Sequence, residues 1–216
     1  MHLNSQLLFS RFAKPHFKPG MRVLEIGPDA FPSTYSKIIA LPEIEWQTAD
    51  LVASAQDRGQ RLFGEGRLNQ LTFALDNAYS VPAPAASFDI LVSGQVIEHV
   101  RRIWAWMQEL ARLTAHGGLV ITIAPISWPY HEAPVDCWRI YPEGMRALCE
   151  EAGLEVLLST FAALEPRVSK RWYPGESSTL PQVPRSLFSR LKQLIKGGIG
   201  WPMTAAVDTI TIARKP

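Results

Sequence analysis

The sequence predicts an α/β fold, a mostly parallel sheet with helices on both faces. Three observations lead there. Strand-like and helix-like segments alternate along most of the 216 residues. The run Leu119 to Ala124 is apolar and rich in β-branched residues, the pattern of a strand covered on both faces. Apolar residues make up 47% of the chain against 19% charged, which is enough to build a sizeable core in one domain and excludes a disordered chain.

Taken in order, Leu3 to Ala13 reads as a weak helix ended by Pro15 and Pro19-Gly20. Met21 to Ile26 is a short buried strand between Gly20 and Gly27. Ser33 to Ala40 is helical, Ile44 to Ala49 is a second strand closing at Asp50, and Leu71 to Leu75 is a third. A Pro82–Pro84 loop precedes a fourth strand, Phe88 to Ser93. The clearest helix runs from Arg102 to Ala115, with Ile103, Trp106, Met107, Leu110 and Leu113 on one stripe and Gly117-Gly118 as its stop. Helix Glu143 to Ala152 stops at Gly153, and strands Leu154 to Ser159 and Val207 to Ala213 follow. Between those two strands, about 166–202 holds five of the seventeen prolines and reads as an insertion within one domain spanning 1–216.

Composition narrows the class. The longest apolar stretch, Gly118 to Ile126, is half of the ~20 residues a membrane span needs, and the N-terminus shows no secretory signal. Cys137 and Cys149 form neither a framework nor a CxxC motif, so free thiols and a cytoplasmic setting are expected. The net charge is +2, but Pro166 to Gly200 carries seven basic residues against Glu176 alone, and the rest of the chain is acidic. That asymmetry implies either a solvated basic insertion or a face aimed at something anionic. Within it, Pro184 to Lys196 reads as an amphipathic helix. Core packing, a lid over an acceptor and peripheral membrane contact are its three readings, and nucleic acid is not an expected partner.

In an open α/β sheet, ligands bind beyond the carboxyl ends of the strands. The first strand ends in Glu25-Ile26-Gly27-Pro28-Asp29, and the second in Asp50, placed to take the two hydroxyls of a ribose. A pyrophosphate would want G-x-G-x-x-G, but the position two after Gly27 is Asp29, whose carboxylate would repel it. A cationic adenosine derivative without phosphates fits better, and S-adenosylmethionine has those properties.

Together with these residues, Ser87 to Ser93, Val96 to Val100, Glu109 to Leu113, Gly117 to Leu119 and Glu151 to Val156 resemble the class I SAM-dependent methyltransferases of the type-11-like kind, and His131 to Ile140 resembles a stretch in those of bacterial polysaccharide and natural-product clusters. The resemblance implies a Rossmann-like, seven-stranded sheet and an enzyme using S-adenosyl-L-methionine. It implies cofactor roles for Glu25, Gly27 and Asp50, with Asp29 nearby. Either Asp76 or Asn77 would bond the adenine amino group, and Gln95 would reach the cofactor or the methyl. The second and third glycines of the usual first motif are absent. The E-x-x-E-H metal motif of ubiquinone-type O-methyltransferases reads Gln95-Val96-Ile97-Glu98-His99 here. One carboxylate is missing, so no metal is expected, and Glu98 and His99 are either a local structural pair or part of the site.

The stretch Tyr130 to Tyr141 follows the fifth strand and so stands above the cofactor end of the sheet. His131 and His99 are the base candidates by position, while His2, His16 and His116 are expected to be remote. Asp136, Arg139, Tyr141 and Trp172 are candidate acceptor-binding residues; the alternative is an Asp136–Arg139 salt bridge that pins the loop, with Trp138 in the core. The expected reaction is methyl transfer to oxygen of a small-molecule or saccharide-type acceptor. A non-catalytic methyltransferase-like partner or scaffold is the alternative.

Overall fold

A computed structural model describes residues 2–52, 68–131, 135–165 and 206–216. The predicted insertion, its amphipathic helix and Trp172 lie outside them. Seven strands form one sheet in the order β3-β2-β1-β4-β5-β7-β6. They are β1 (Arg22–Ile26), β2 (Glu45–Leu51), β3 (Phe73–Leu75), β4 (Phe88–Gly94), β5 (Thr114–Ser127), β6 (Glu155–Ala162) and β7 (Val207–Arg214). All neighbours pair in parallel except β7, which runs antiparallel to both β5 and β6.

The strands read as continuous apolar runs because alternate residues feed two cores. Leu24, Leu91, Val120 and Ala124 face a layer built by α3 (Ile103–Leu113) and α4 (Pro142–Glu151), where Trp106, Met107, Leu110, Met145 and Leu148 are buried. Val23, Ile90, Val92, Ile121 and Ile123 face the opposite layer, filled by Leu8, Phe9, Phe17, Tyr35 and Ile39. That layer comes from α1 (Leu3–Leu8), which winds on as a π-helical turn over Phe9–Ala13, and from α2 (Thr34–Ile39). The Ser33 hydroxyl caps α2 by accepting the Ser36 amide, and Ala40 ends it in a left-handed conformation (φ 49°).

One boundary departs from expectation. The stripe helix ends at Leu113, two residues early, and β5 starts at once. Thr114 turns its hydroxyl back onto the Leu110 carbonyl (2.7 Å) and spends its own backbone on the sheet. Gly117 and Gly118 therefore do not stop a helix; they carry the strand past β4. Gly117 has φ 76°, and a Cβ on Gly118 would sit 2.9 Å from the Asp89 carbonyl oxygen.

The first strand order switch, between β1 and β4, opens the crevice where the site forms. Gly94 at the tip of β4 is required there, since its Cβ would collide with the Tyr35 ring, which is fully buried against Phe9. The Tyr35 hydroxyl has no hydrogen-bond partner among the described residues. Gly94→Ala is expected to lower stability by about 1–3 kcal/mol or more through overpacking. Tyr35→Phe alone should cost little, and added to Gly94→Ala it should recover part of the loss. Denaturant midpoints of the three variants check this; equal midpoints for Gly94→Ala and wild type would show that the tyrosine yields freely.

Candidate active site

A cavity of about 350 Å³ lies over the carboxyl ends of β1, β2, β3 and β4. Asp50, Asp76, Asn77, Gln95 and His99 all line it, on walls that include Leu51, Ala78, Val81, Val96 and Leu110. Topology accounts for this convergence: each residue stands at or just after a parallel strand tip. Asp50 is nearly fully buried, and its Oδ1 accepts the Leu51 amide at 2.9 Å.

Asp76 and Asn77 part company here. The Asn77 Oδ1 accepts the Tyr79 amide (2.9 Å) in a local turn, which commits its acceptor to the chain and leaves Asp76 the better partner for an amino donor. The far wall is clamped by Glu109, a residue to which the sequence gave no role. Glu109 accepts the Val81 amide (2.8 Å) and both nitrogens of Arg112, and Arg112 in turn holds the Val81 and Ala83 carbonyls.

The first-motif residues act one layer down, and none of Glu25, Gly27 and Asp29 lines the cavity. Glu25 is buried beneath it and accepts the Trp46 indole N–H at 2.9 Å. Burial pushes its pKa up to about 7, against that bond and with the nearby Asp29 adding to the rise. Gly27 (φ 70°) packs so closely that a Cβ would meet Val96 Cγ2 at 2.5 Å, which sets the cavity floor. Asp29 is spent on α2: it takes the Thr34 amide (2.9 Å) and hydroxyl (2.6 Å). This carboxylate does in the loop what the missing glycines cannot, fixing the turn by side-chain bonds.

Gln95 (φ 59°) carries a second duty besides lining the cavity. Its Nε2 donates to Ser5 Oγ and to Asp208 Oδ1, both at 3.0 Å, and Asn4 Nδ2 donates to Asp208 Oδ2 at 2.7 Å. Sequence reasoning missed Asn4, Ser5 and Asp208. Two polar residues on the first turn of a weak amphipathic helix were the available signal. Burial raises the pKa of Asp208 to about 6 in spite of these donors.

Histidine 2 corrects an expectation, for it is not remote. It stacks on Trp128 (4.1 Å between rings) and stands 3.9 Å from Asp208 Oδ2, and burial, helped by the N-terminal charge and by His131, lowers its pKa to about 4. His116 does lie away, bonded to the Pro216 carbonyl.

After β5, Asp136 and Arg139 form a two-point ion pair, and Arg139 also donates to the Trp128 and Trp138 carbonyls. Arg139 holds the Asp136 carboxyl down at about 2. Trp138 packs on the core and donates to the Val100 carbonyl (2.8 Å). The pair pins the loop, and it presents His131: Asp136 Oδ2 accepts the His131 amide (2.9 Å) and lies 3.4 Å from its Nδ1. The His131 ring meets the His99 ring edge-on, 5.0 Å between centroids. Tyr141 is exposed beside Phe161, and Tyr130 is more exposed still.

Residues 44–122 match the family described as methyltransferase domain. Three solved structures each align over 98% of this chain. The Bacillus halodurans C-125 protein BH2331 is 14% identical, covered over 99% of its length, with a TM-score of 0.58. Phosphoethanolamine N-methyltransferase 2 of Haemonchus contortus, solved with S-adenosyl-L-methionine, is 17% identical, covered over 52%, at 0.55. The (4+2)-cyclase SpnF is 19% identical, covered over 79%, at 0.55. No curated protein matches.

The chain shares the Rossmann-like fold of these structures, with the methyltransferase-domain match over residues 44–122, and S-adenosyl-L-methionine, present in the Haemonchus contortus structure, is the cofactor to set against the site. The residues present fit this cofactor. Carboxylates at the tips of β2 and β3 face a largely apolar cavity of a size that takes such a ligand.

Two measurements test this geometry. In calorimetric titrations with S-adenosylhomocysteine, Asp50→Ala and Asp76→Ala should each weaken binding about tenfold or more, and Asp29→Ala and Asn77→Ala should weaken it less; an inverted order would reassign the ribose and adenine contacts. Glu25 tests the electrostatics. Its folded-state pKa lies above the ordinary 4.5, so the folded form keeps a proton that the unfolded form releases. Between pH 4.5 and 7 this group therefore makes stability fall as pH rises, with the loss complete above about 7. Glu25→Gln keeps an acceptor for Trp46 and should flatten that part of the stability–pH curve; an unchanged slope would place the titration elsewhere.

Proposed function

We propose that the protein transfers a methyl group from S-adenosyl-L-methionine to oxygen of a small-molecule or saccharide-type acceptor. The observation that carries this reading is the pairing of His131 with His99 over the strand edge, with His99 on the cavity wall and Val135 beside it. The cofactor brings an activated sulfonium methyl, so the protein's share is alignment of the acceptor and management of its proton. Asp50 and Asp76 hold the nucleoside end, and Gly27 and Val96 set the floor.

His131 is suited to take the proton of an acceptor hydroxyl. Its Nδ1 faces the Pro129 carbonyl (3.1 Å) and Asp136, acceptors that fix the proton on Nδ1 and leave Nε2 to act as base. Asp136 and Arg139 are positioning residues in this reading, since their bonding is spent on each other and on the loop. The exposed rings of Tyr130, Tyr141 and Trp104, the last edge-on to Trp138, offer stacking surfaces of the kind that receive a sugar or an aromatic acceptor. The scaffold alternative would be favoured by Pro28 or Phe31 filling the cavity; neither lines it.

His131→Ala should lower kcat by about 10²–10⁴-fold on a hydroxyl acceptor while S-adenosylhomocysteine affinity stays within about twofold. A panel of saccharide and phenolic acceptors, read as S-adenosylhomocysteine release, supplies the assay. Equal losses of cofactor affinity and turnover would make the loop structural, and turnover on amines alone would move the acceptor atom to nitrogen.

A further inference from the structure

Beside the cavity, Glu98 and His99 in the 3-10 turn Ile97–His99 after β4 meet His131 from the loop after β5. One ligand atom from each of the three lies within 4.8 Å of the other two. Glu98 is completely buried, and neither of its carboxylate oxygens has a hydrogen-bond donor among the described residues. A buried carboxylate without a donor is costly unless a cation answers it. The His99 imidazole stands beside it, Nε2 3.7 Å from Oε1, and Arg139 is the cation whose field reaches it.

Both imidazoles are oriented to present lone pairs. His99 Nδ1 lies 2.5 Å from the Val135 carbonyl oxygen, and His131 Nδ1 lies 3.1 Å from that of Pro129 and 3.4 Å from Asp136 Oδ2. Carbonyl oxygens only accept, so Nδ1 carries the proton in each ring and Nε2 carries the lone pair. A backbone carbonyl or carboxylate on the far nitrogen is the outer-shell pattern that orients metal-ligating histidines.

We propose that Glu98, His99 and His131 form a binding site for a divalent first-row transition metal, zinc by its donor set. Two imidazoles and one carboxylate suit zinc, iron(II) or cobalt and not magnesium or calcium, which take oxygen donors. Three protein ligands leave a position open, as in catalytic zinc sites. Ligand atoms in a tetrahedral site stand about 3.3 Å apart at ordinary zinc–nitrogen lengths, so binding draws the two turns together by about 1 Å. His99 also lines the cavity, so the metal borders the methyl donor. If the transfer to oxygen proposed above holds, on which this clause alone rests, the open position takes the acceptor hydroxyl, and in the metal-loaded chain His131 is a ligand: the metal, in place of the imidazole base, acidifies the hydroxyl and its proton passes to solvent.

The missing carboxylate at Gln95 is thus replaced from a strand away. Counting within the turn finds two ligands; the third, His131, is thirty-two positions from His99 and arrives through the β4–β5 pairing.

The test uses the untagged full chain, stripped with chelator and titrated with cobalt(II) and zinc(II) without cofactor. The expected results are one cobalt per chain, visible d–d bands of a four- or five-coordinate site, and displacement by zinc. Glu98→Gln, His99→Ala and His131→Ala should each weaken cobalt affinity beyond the ~10–100-fold typical of losing an outer-shell partner. His116→Ala should change nothing. Absence of stoichiometric binding overturns the proposal, as does binding that survives all three substitutions, which would be an adventitious ion only. Should the variants fail to fold, X-ray absorption of zinc-loaded wild type decides instead: two imidazoles and a light oxygen donor support the site, and any other shell overturns it. Cofactor titration of the stripped chain, run in parallel, reads the methyl-transfer proposal separately.

Discussion

The buried carboxylate of Asp208 is the interaction on which the cofactor end of the fold depends. It sits at the start of β7, the one antiparallel strand, and so lies at the carboxyl edge of its parallel neighbours. Donors reach it from α1 (Asn4 and Ser5) and from the tip of β4 (Gln95). Asn4 extends the network to β6 through the Ala162 carbonyl and the Leu164 amide. Hydrogen bonds to a charged group contribute roughly 1.5–3 kcal/mol each, and losing one partner leaves the buried charge exposed to the full cost of desolvation. Three segments far apart in sequence are therefore locked where the crevice opens, and Gln95 is held in a left-handed conformation that its own side chain would not favour.

That lock explains how polar side chains are divided along the strand tips. Acids that meet a donor inside the protein serve the scaffold: Asp29 on α2, Glu25 on Trp46, Glu109 on the Val81 loop, Asp136 on Arg139. Asp50 and Asp76 border the cavity, where a nucleoside would offer hydroxyl and amino donors, though Asp50 also takes the Leu51 amide. The altered glycine loop belongs to the same division. Where glycines would let the backbone approach a ligand, this chain uses Asp29 to hold the turn and keeps one glycine, Gly27, at a point where a Cβ would strike Val96.

Much of this was legible in the sequence, and what was not shares a physical cause. Apolar runs gave six of seven strands within two or three residues at their ends, since a strand covered on both faces has to be apolar throughout. The strand tips followed from them, and with the tips came Asp50, Asp76, Asn77, Gln95 and His99. β5 was read short because Thr114 to Gly118 has no apolar pattern; its start is fixed by pairing with β4, which is a long-range fact. The same holds for Asn4, Ser5 and His2. Their neighbours are Asp208, Trp128 and Gln95, and no local spacing announces a contact that spans ninety residues or more. Polar residues on a weak helix look solvated until the partner is known.

The same separation limits what the fold says about chemistry. A methyltransferase-type sheet also underlies the (4+2)-cyclase SpnF, so the strand order fixes where a nucleoside cofactor can sit and not what happens beside it. In this chain the groups proposed to act on an acceptor follow other strands than Asp50 and Asp76 do: His99 and Glu98 after β4, His131 after β5. They come together because β4 and β5 are paired in register through Gly94 and Ile123, which brings the two following turns to the same height. The Asp136–Arg139 pair then fixes the second turn from behind. The proposed cofactor and acceptor residues thus follow different strand tips and are stabilised by different networks. On the proposed reading, a change in the loop after β5 would alter the acceptor without disturbing Asp50 and Asp76 at the tips of β2 and β3.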